Sequence, residues 1–328
     1  LFPVESGAQV AFMAPTEVLA EQHFKSVLGF AKKLNLSVEL LTGSTKPKER
    51  DILLNNLLIG KTKILIGTHA LIEERVRFKK LGLVVIDEQH KFGVAQRAKL
   101  WSKKEEYYPH VLVMTATPIP RTLALTLYGD LDVSVIDELP KGRKEIITSH
   151  RNDNSRLKVL NFIKQTVESG SQVYIVYPLI EESAKKDHKD LMDGYESLTR
   201  YFPDTQIGVL HGRMKAENKD YEMKRFVEAK TKILVSTTVV EVGVDVPNAS
   251  VIIIESAERF GLSQLHQLRG RVGRGKKQSY CILMTKYDIS KESKERIKAM
   301  VETSDGFKIA NTDLKLRGPG NMLSLIHI

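Results

Sequence analysis

The chain has almost none of the residues and segments that mark disulfide-bonded, metal-clustered or membrane-embedded proteins. Cys281 is the one cysteine among 328 residues, which excludes a disulfide framework or a thiolate metal cluster within a single chain. No apolar run approaches the roughly 18–20 residues that span a bilayer, and the first residues show no basic-then-apolar secretory pattern. We therefore expect a cytoplasmic protein that makes no contact with membranes.

Acidic residues are outnumbered by basic ones. The chain has 50 Lys and Arg residues against 40 Asp and Glu residues, which gives a net charge of +10. This excess favours an anionic partner such as nucleic acid, because each phosphate that a protein neutralises releases condensed counterions. Simple solubility explains the charge equally well. The basic residues are spread along the chain, which suits a binding groove better than a flexible arm.

Short apolar runs alternate with helical patterns along most of the chain. In Glu17–Leu34, apolar residues recur at three- or four-residue spacing, as in amphipathic helices. Strands that alternate with helices indicate an α/β fold of parallel sheets with helices on both faces. The predicted strands are Gln9–Ala14, Val38–Leu41, Lys63–Ile66, Leu83–Ile86, Val111–Met114, Val133–Ile136, Gln172–Tyr177, Gln206–Leu210, Lys232–Ser236, Ser250–Ile254 and Tyr280–Met284.

A polar stretch with proline and glycine, Glu138–Lys144, interrupts the alternation and suits a linker. The sequence thus predicts two α/β lobes, at residues 1–140 and 141–285, followed by a short helical and loop-like element at 286–328. Right-handed crossovers in such sheets place the carboxyl ends of the strands, and the loops that leave them, along one edge.

Two acids, Asp87 and Glu88, directly follow the predicted strand Leu83–Ile86. A carboxylate at a strand end can hold Mg²⁺, usually through water, and its neighbour can orient or deprotonate an attacking water. An acid pair at this place is also common at an ordinary solvated strand exit. The longer segment Ile-Asp-Glu-Gln-His, which ends at His90, is more specific, and it resembles the DExH form of the Walker B motif in superfamily 2 helicases.

Two arginines, Arg271 and Arg274, lie in the glycine-rich segment Gln-Leu-Arg-Gly-Arg-Val-Gly-Arg-Gly at residues 267–275. Glycines between arginines let the side chains approach phosphates closely, and the planar guanidinium groups can make bidentate contacts. A basic surface turn that binds nothing specific would show the same bare pattern.

Taken together, the motifs resemble the RecG-type ATP-dependent DNA helicases. The matching segments include Met-Ala-Pro-Thr-Glu-Val-Leu-Ala-Glu-Gln-His (13–23), Asp-Glu-Gln-His-Lys-Phe-Gly-Val (87–94), Thr-Ala-Thr-Pro-Ile-Pro-Arg-Thr (115–122) and Pro-Leu-Ile-Glu-Glu-Ser (178–183). The Mfd-type duplex translocases share the third segment and the arginine segment. They typically have Asp-Glu-Glu-His and lack the fourth. The resemblance covers residues 8–320 and implies two RecA-like lobes, the first of them incomplete, followed by a translocation-coupling element.

The resemblance also implies roles for individual residues, with ATP and Mg²⁺ as cofactors and branched or forked duplex DNA as the partner of a monomeric motor. The catalytic residues would be Asp87, Glu88, Arg271 and Arg274, with Asp87 also the metal ligand. Further nucleotide contacts would come from His90, Gly243, Asp245 and Gln267. The DNA contacts would be Pro15, Thr16, Thr42, Gly43, Gly67, Thr68, His69, Gly212, Arg213 and Thr237. Hydrolysis would be coupled to translocation through Thr115, Thr117 and Arg317.

The phosphate-binding loop of such motors, Gly-x-x-x-x-Gly-Lys-Ser/Thr, occurs nowhere in the 328 residues. In the family it precedes the strand that begins near Gln9, and the wedge domain that recognises branched DNA is also missing. We expect the chain alone not to hydrolyse ATP and its first sheet to have an exposed edge. The final segment, Asn321–Ile328, departs from the family pattern. Two alternatives stay open: an Mfd-like translocase, and a DNA-binding module that hydrolyses nothing.

Overall fold

The computed structural model describes residues 2–88, 109–115, 132–136, 138, 140, 142–178, 184–237 and 244–317. The chain divides into two compact units near residue 116. Each unit contains one parallel sheet covered by helices, as the alternating pattern predicts. No helix in the described ranges is long and apolar enough to cross a bilayer.

Unit one contains a five-stranded parallel sheet with the order β2-β3-β1-β4-β5. Its strands are β1 (Gln9–Met13), β2 (Val38–Leu41), β3 (Ile64–Gly67), β4 (Leu81–Ile86) and β5 (His110–Val113), and its helices are α1 (Phe2–Glu5), α2 (Glu17–Lys33) and α3 (Pro47–Leu58). Buried residues lie on both faces of the sheet: Leu65 packs with Leu57 of α3, whereas Ile66 packs with Ala20 of α2. This is the alternation expected of a strand covered on both sides.

Unit two contains a six-stranded parallel sheet with the order β6-β11-β10-β7-β9-β8. Its strands are β6 (Ile147–Asn152), β7 (Gln172–Val176), β8 (Ile207–Leu210), β9 (Ile233–Ser236), β10 (Ala249–Ile254) and β11 (Tyr280–Thr285). Its helices are α4 (Arg156–Glu168), α5 (Ala184–Tyr201), α6 (Ala216–Val227), α7 (Leu262–Arg269), α8 (Lys291–Glu302) and α9 (Gly306–Arg317). All residues of β10 are buried, because sheet neighbours and helices cover it on every side.

Two strand predictions need correction. Residues 132–136 form no strand, and Ile136 is 95% exposed, so the apolar run there was wrongly predicted to be buried. Conversely, β6 was missed, because Ile-Thr-Ser-His-Arg-Asn has few apolar residues. It lies at the edge of its sheet, where it pairs with β11 and needs little apolar surface. The other predicted strands are confirmed to within one or two residues at each end.

The two units repeat one structural segment. The sequence Lys-Thr-Lys-Ile-Leu leads into β3 at residues 61–65 and into β9 at 230–234. Gln9 in β1 donates from Nε2 to the carbonyls of Leu57 and Thr62, both at 2.8 Å. Gln172 in β7 donates in the same way to Phe226 at 2.6 Å and Thr231 at 2.8 Å. The run from β2 to β3 therefore matches the run from β8 to β9 residue for residue, without insertion or deletion.

Candidate functional site

The predicted acid pair lies at the carboxyl end of β4 in unit one. The backbone N–H of Asp87 donates to the carbonyl of Met13 at 2.9 Å, which continues the sheet pairing one residue beyond the strand. Asp87 Oδ1 accepts from the N–H of Glu88 at 2.9 Å, and Oδ2 lies 2.8 Å from His23 Nε2. Glu88 has a backbone φ of +50°, in the left-handed region that residues other than glycine rarely adopt. The chain therefore turns sharply at the two acids.

His23 contacts Asp87 of the acid pair. The helicase motifs assign no role to this histidine. It lies seven residues after Thr16 on α2, and two helical turns bring both residues to the same end of the sheet. Its ring packs against Phe12 with centroids 4.5 Å apart. The seven-residue spacing was the signal that could have identified it, because a helix that starts at the site edge presents every seventh residue to the same side.

The donor set around Asp87 fits a metal that is bound mainly by water and phosphate. In the described ranges, no group of three or more His, Cys, Asp or Glu residues is placed to hold a metal ion. The Asp87 side chain is 19% exposed, and each carboxylate oxygen has a second lone pair beyond the contacts above. Mg²⁺ usually keeps several waters and takes one or two carboxylates together with phosphate oxygens. Asp87 can supply one such ligand, directly or through water.

Three turns of unit one carry most of the predicted DNA contacts. Thr16 is the N-cap of α2, and its hydroxyl accepts from the N–H of Leu19 at 3.3 Å, so the helix begins directly after Pro15 and Thr16. Thr42 follows β2, and its Oγ1 lies 2.9 Å from Ser44 Oγ. A side chain on Gly43 would come within 3.2 Å of Glu17 Oε1, so the turn closely approaches α2.

The third of these turns follows β3. A Cβ at Gly67 would overlap the carbonyl oxygen of Leu41, which explains why glycine ends this strand. The next residue, Thr68, is 2% exposed, and its hydroxyl has no hydrogen-bond partner among the described residues. His69 begins a short 3₁₀ helix and is exposed. A buried hydroxyl without a partner at a strand end is costly unless something else binds it.

Unit two repeats this arrangement. Thr237 occupies the position that Thr68 has in unit one, and the backbone N–H of each donates to the strand next to it, at Leu210 (3.1 Å) and Leu41 (3.3 Å). Thr237 is 1% exposed, and its hydroxyl also has no partner in the described part of the chain. Gly212 and Arg213 correspond to Gly43 and Ser44, and both are exposed. Two predicted DNA contacts of unit one, Gly43 and Thr68, thus have structural equivalents in Gly212 and Thr237 of unit two.

Two of the predicted nucleotide residues of unit two, Asp245 and Arg274, line an open cleft of about 790 Å³. Arg274 Nη1 lies 3.5 Å from Asp245 Oδ1, and both residues line this cleft together with Arg143 and Lys277. Arg271 is 8% exposed. Burial raises the pKa of the nearby Tyr174 hydroxyl, and the charges of Arg271 and Arg274 partly oppose that rise. The cleft therefore combines several cations with one carboxylate, a set that suits an anionic ligand bearing hydroxyl groups.

The helix that leads to these arginines is anchored by a buried residue that the motif does not use. Arg269, at the end of α7, is 4% exposed and donates to the carbonyls of Met300 at 2.9 Å, Thr303 at 2.8 Å and Ser304 at 3.2 Å. Its guanidinium also lies 3.0 Å from His266 Nδ1. Gln267, which precedes Arg271 by four residues, is half-buried on α7. Ser263 Oγ donates to Asp313 of α9 at 3.4 Å.

The remaining predicted residues are only partly described. Thr115 follows β5 and is exposed. Arg317 is the last residue of α9, and its side chain lies outside the described part. His90, Thr117 and Gly243 lie outside the described residues. The structure thus brings Asp87 together with Glu88, and Arg274 together with Asp245, each pair within its own unit.

Comparison with known proteins identifies two helicase domains. The DEAD/DEAH box helicase family matches residues 3–126, and the helicase conserved C-terminal domain matches residues 154–276. The chain is 56% identical over 324 residues to the ATP-dependent DNA helicase RecG of Synechocystis, which covers 98% of the chain and 39% of the relative. It is 52% identical to RecG of Bacillus subtilis, covering 96% of the chain and 46% of the relative. The chain thus spans less than half the length of these relatives.

Solved structures agree with this relationship. A RecG structure bound to a three-way DNA junction is 48% identical and superposes with a TM-score of 0.80, covering 96% of this chain and 41% of that one. The yeast protein Dbp5, bound to RNA and ADP with beryllium fluoride, is 16% identical with a TM-score of 0.65, covering 97% of this chain and 83% of that one. That second likeness shows the shared RecA-like fold alone. The chain therefore belongs to the RecG-type DNA helicases and carries their two-lobed segment.

Proposed function

We propose that this chain is the motor segment of an ATP-driven helicase that remodels branched DNA, such as stalled replication forks and Holliday junctions. ATP and Mg²⁺ would be its cofactors and DNA its partner, with the motor working as a monomer. Residues 1–140 would form the ATP-binding lobe, 141–285 the second lobe, and 286–328 part of the element that couples hydrolysis to translocation. The relatives named ATP-dependent DNA helicase RecG and the RecG structure with a three-way junction support this proposal.

The observation that carries the proposal is the repeated strand end. Thr68 and Thr237 occupy the same position in the two units, and each has a buried hydroxyl that nothing in the described part binds. A phosphate oxygen is a strong acceptor for such a hydroxyl. Two equivalent donors on two lobes would hold successive stretches of one DNA backbone, as a motor that steps along DNA requires. The net charge of +10 favours the same partner.

The nucleotide chemistry is assigned to residues from both units. Glu88, next to Asp87 at the end of β4, would orient or deprotonate the attacking water. Arg271 and Arg274 would stabilise the negative charge that develops on the phosphoryl oxygens. Asp245 would accept hydrogen bonds from ribose hydroxyls, and Gln267 would contact the phosphates or the water. Bound Mg²⁺, held through Asp87, would neutralise charge on the β- and γ-phosphate oxygens.

The test uses the affinity of the chain for a fluorescent three-way DNA junction, measured by anisotropy at several salt concentrations. Thr68→Val and Thr237→Val each remove one hydroxyl while keeping the side-chain shape. We expect each to weaken binding about tenfold, because a hydrogen bond to a charged group contributes about 1.5 kcal/mol. Thr148→Val is the matched control, since Thr148 in β6 also has a buried hydroxyl without a partner among the described residues, but inside a strand.

Equal affinities for wild type and both variants would contradict the assigned DNA path, and failure of the wild type to bind DNA would contradict the proposed function.

A further inference from the structure

Glu17 makes a contact that the helicase motifs do not explain. It is the first residue of α2 and directly follows the N-cap Thr16. Its Oε1 accepts from the backbone N–H of Ser44 at 3.1 Å, and its Oε2 accepts from the Ser44 hydroxyl at 2.8 Å. Both oxygens of one carboxylate therefore bind one residue of the turn that follows β2. We call these two hydrogen bonds the Glu17 clasp.

The clasp joins two surfaces that were assigned to DNA separately. Thr16 belongs to the turn after β1, and Thr42 and Gly43 belong to the turn after β2. The Ser44 hydroxyl lies 2.9 Å from Thr42 Oγ1, so the clasp also fixes the Thr42 side chain. Gly43 leaves the space that the carboxylate needs, because a Cβ there would be 3.2 Å from Oε1. The N-terminus of α2 and the Thr42–Ser44 turn are thereby held at a fixed spacing.

A carboxylate is the wrong charge for a surface that binds phosphates. A free carboxylate beside a DNA backbone would weaken binding by repulsion. At Glu17 that charge is offset in two ways: both oxygens accept hydrogen bonds, and the side chain lies in the first turn of a helix, where the peptide dipoles favour negative charge. The cost of placing an acid there is therefore reduced, and its geometry remains available to order the turn.

We propose that Glu17 is a positioning residue for DNA binding, which holds the Thr42–Ser44 turn and the start of α2 in the arrangement that contacts consecutive phosphates. The inference rests on the proposed function. Charge alone predicts the opposite effect, since removal of an acid from a DNA-binding surface should strengthen binding. The sign of the change on substitution therefore distinguishes positioning from simple electrostatics.

The experiment compares Glu17→Ala with Glu21→Ala in the 328-residue chain. Glu21 lies one turn further along α2 and is exposed, so both variants remove one negative charge from the same helix. We expect Glu17→Ala to bind the three-way junction about tenfold more weakly, because the ordered turn loses hydrogen bonds to phosphate. Glu21→Ala should bind as tightly as wild type or slightly more tightly. Glu17→Gln should retain most of the affinity, since its amide can accept from the N–H and donate to the hydroxyl.

Two further readouts separate positioning from a general loss of folding. The urea unfolding midpoint of Glu17→Ala should stay close to that of wild type, because both hydrogen bonds of the clasp are exposed. A general loss of folding would lower this midpoint together with the apparent affinity. Ser44→Ala should add little to Glu17→Ala, because both changes break the same clasp.

Each outcome decides the matter. Weaker binding by Glu17→Ala, with an unchanged urea midpoint and rescue by glutamine, supports the clasp. If Glu17→Ala binds as well as Glu21→Ala, or loses affinity only together with a lower urea midpoint, the clasp has no part in DNA binding and the proposed function still stands. If the wild type does not bind DNA at low salt, the proposed function fails, and this inference fails with it.

Discussion

Among the described histidines, His266 has the ionisation that is most clearly altered by its surroundings. It lies on α7, and burial lowers its pKa to about 4, with the positive charge of Arg269 acting in the same direction. The neutral ring can place a lone pair at Nδ1, 3.0 Å from the Arg269 guanidinium. A protonated ring would instead put a second positive charge beside it. The folded protein therefore favours the neutral form.

This pKa predicts a pH dependence of stability. An unfolded histidine has a pKa of roughly 6.5, so between this value and 4 the unfolded chain binds more protons than the folded chain. The stability that neutral His266 contributes is complete above about pH 6.5 and is lost as the pH falls towards 4. Between pH 7 and pH 4.5, the free energy of unfolding should fall by about 1–2 kcal/mol less in His266→Asn than in wild type. Urea unfolding at the two pH values measures this difference.

Asparagine is chosen because its amide oxygen can still accept from Arg269. The lowered pKa of His150, which has burial as its main cause, contributes to the pH dependence of both proteins and cancels in the comparison. Identical pH dependence in wild type and His266→Asn would contradict the assignment.

Arg269 acts at the scale of elements, because it fastens α7 to the end of α8. Its guanidinium binds three carbonyls at or just after the C-terminus of α8, where the peptide dipoles present negative charge. No carboxylate in the described ranges forms an ion pair with Arg269. Its positive charge is instead stabilised by these carbonyls and by the ring nitrogen of His266. Since α7 leads directly to Arg271 and Arg274, this anchor also fixes the position from which the two arginines extend.

Arg269→Ala should therefore lower the free energy of unfolding by about 2–4 kcal/mol, because it leaves buried carbonyls without donors. Lys298→Ala on α8 is the matched control. It removes a cation from an exposed ion pair with Glu302, where the side chains are 71% and 62% exposed, and should change stability by less than about 0.5 kcal/mol. Urea unfolding at pH 7 measures both. Equal effects of the two substitutions would show that the Arg269 contacts contribute little.

The elements that were predictable from sequence are those whose apolar pattern reflects real burial. Ser-Val-Ile-Ile-Ile in β10 could be predicted because the strand is buried on both faces. Val133–Ile136 has a similar composition, yet Ile136 is 95% exposed, since composition does not show whether a partner strand exists. β6 was not predicted because this edge strand has few apolar residues and is held by backbone pairing to β11.

Some residues of the candidate site could likewise be placed from the sequence, and others could not. Residues in local motifs, such as Asp87 and Thr68, could be placed at strand ends, because a motif directly follows its strand. Glu17 and Arg269 act through partners far along the chain, at Ser44 and Met300. Such contacts depend on how the chain folds back on itself, which local spacing does not reveal. The roles of the site residues remain predictions.

At the scale of the whole molecule, the repeat places the predicted DNA contacts Thr68 and Thr237 at equivalent strand ends. Gln9 and Gln172 bind equivalent carbonyls, and Thr68 and Thr237 follow equivalent strands. One structural solution therefore serves both units. The nucleotide residues do not repeat: the acids Asp87 and Glu88 lie in unit one, whereas Arg271 and Arg274 lie in unit two.

The most direct test of this account is DNA-stimulated ATP turnover and its dependence on Glu88. Because the chain contains no Gly-x-x-x-x-Gly-Lys-Ser/Thr loop, it should be joined to the residues that precede the matching segment in the Synechocystis relative. We expect three-way junction DNA to stimulate turnover by this chimera. Glu88→Gln should lower turnover at least about a hundredfold while DNA affinity stays unchanged, because only proton transfer and water orientation are lost. Undiminished turnover in Glu88→Gln would contradict the account.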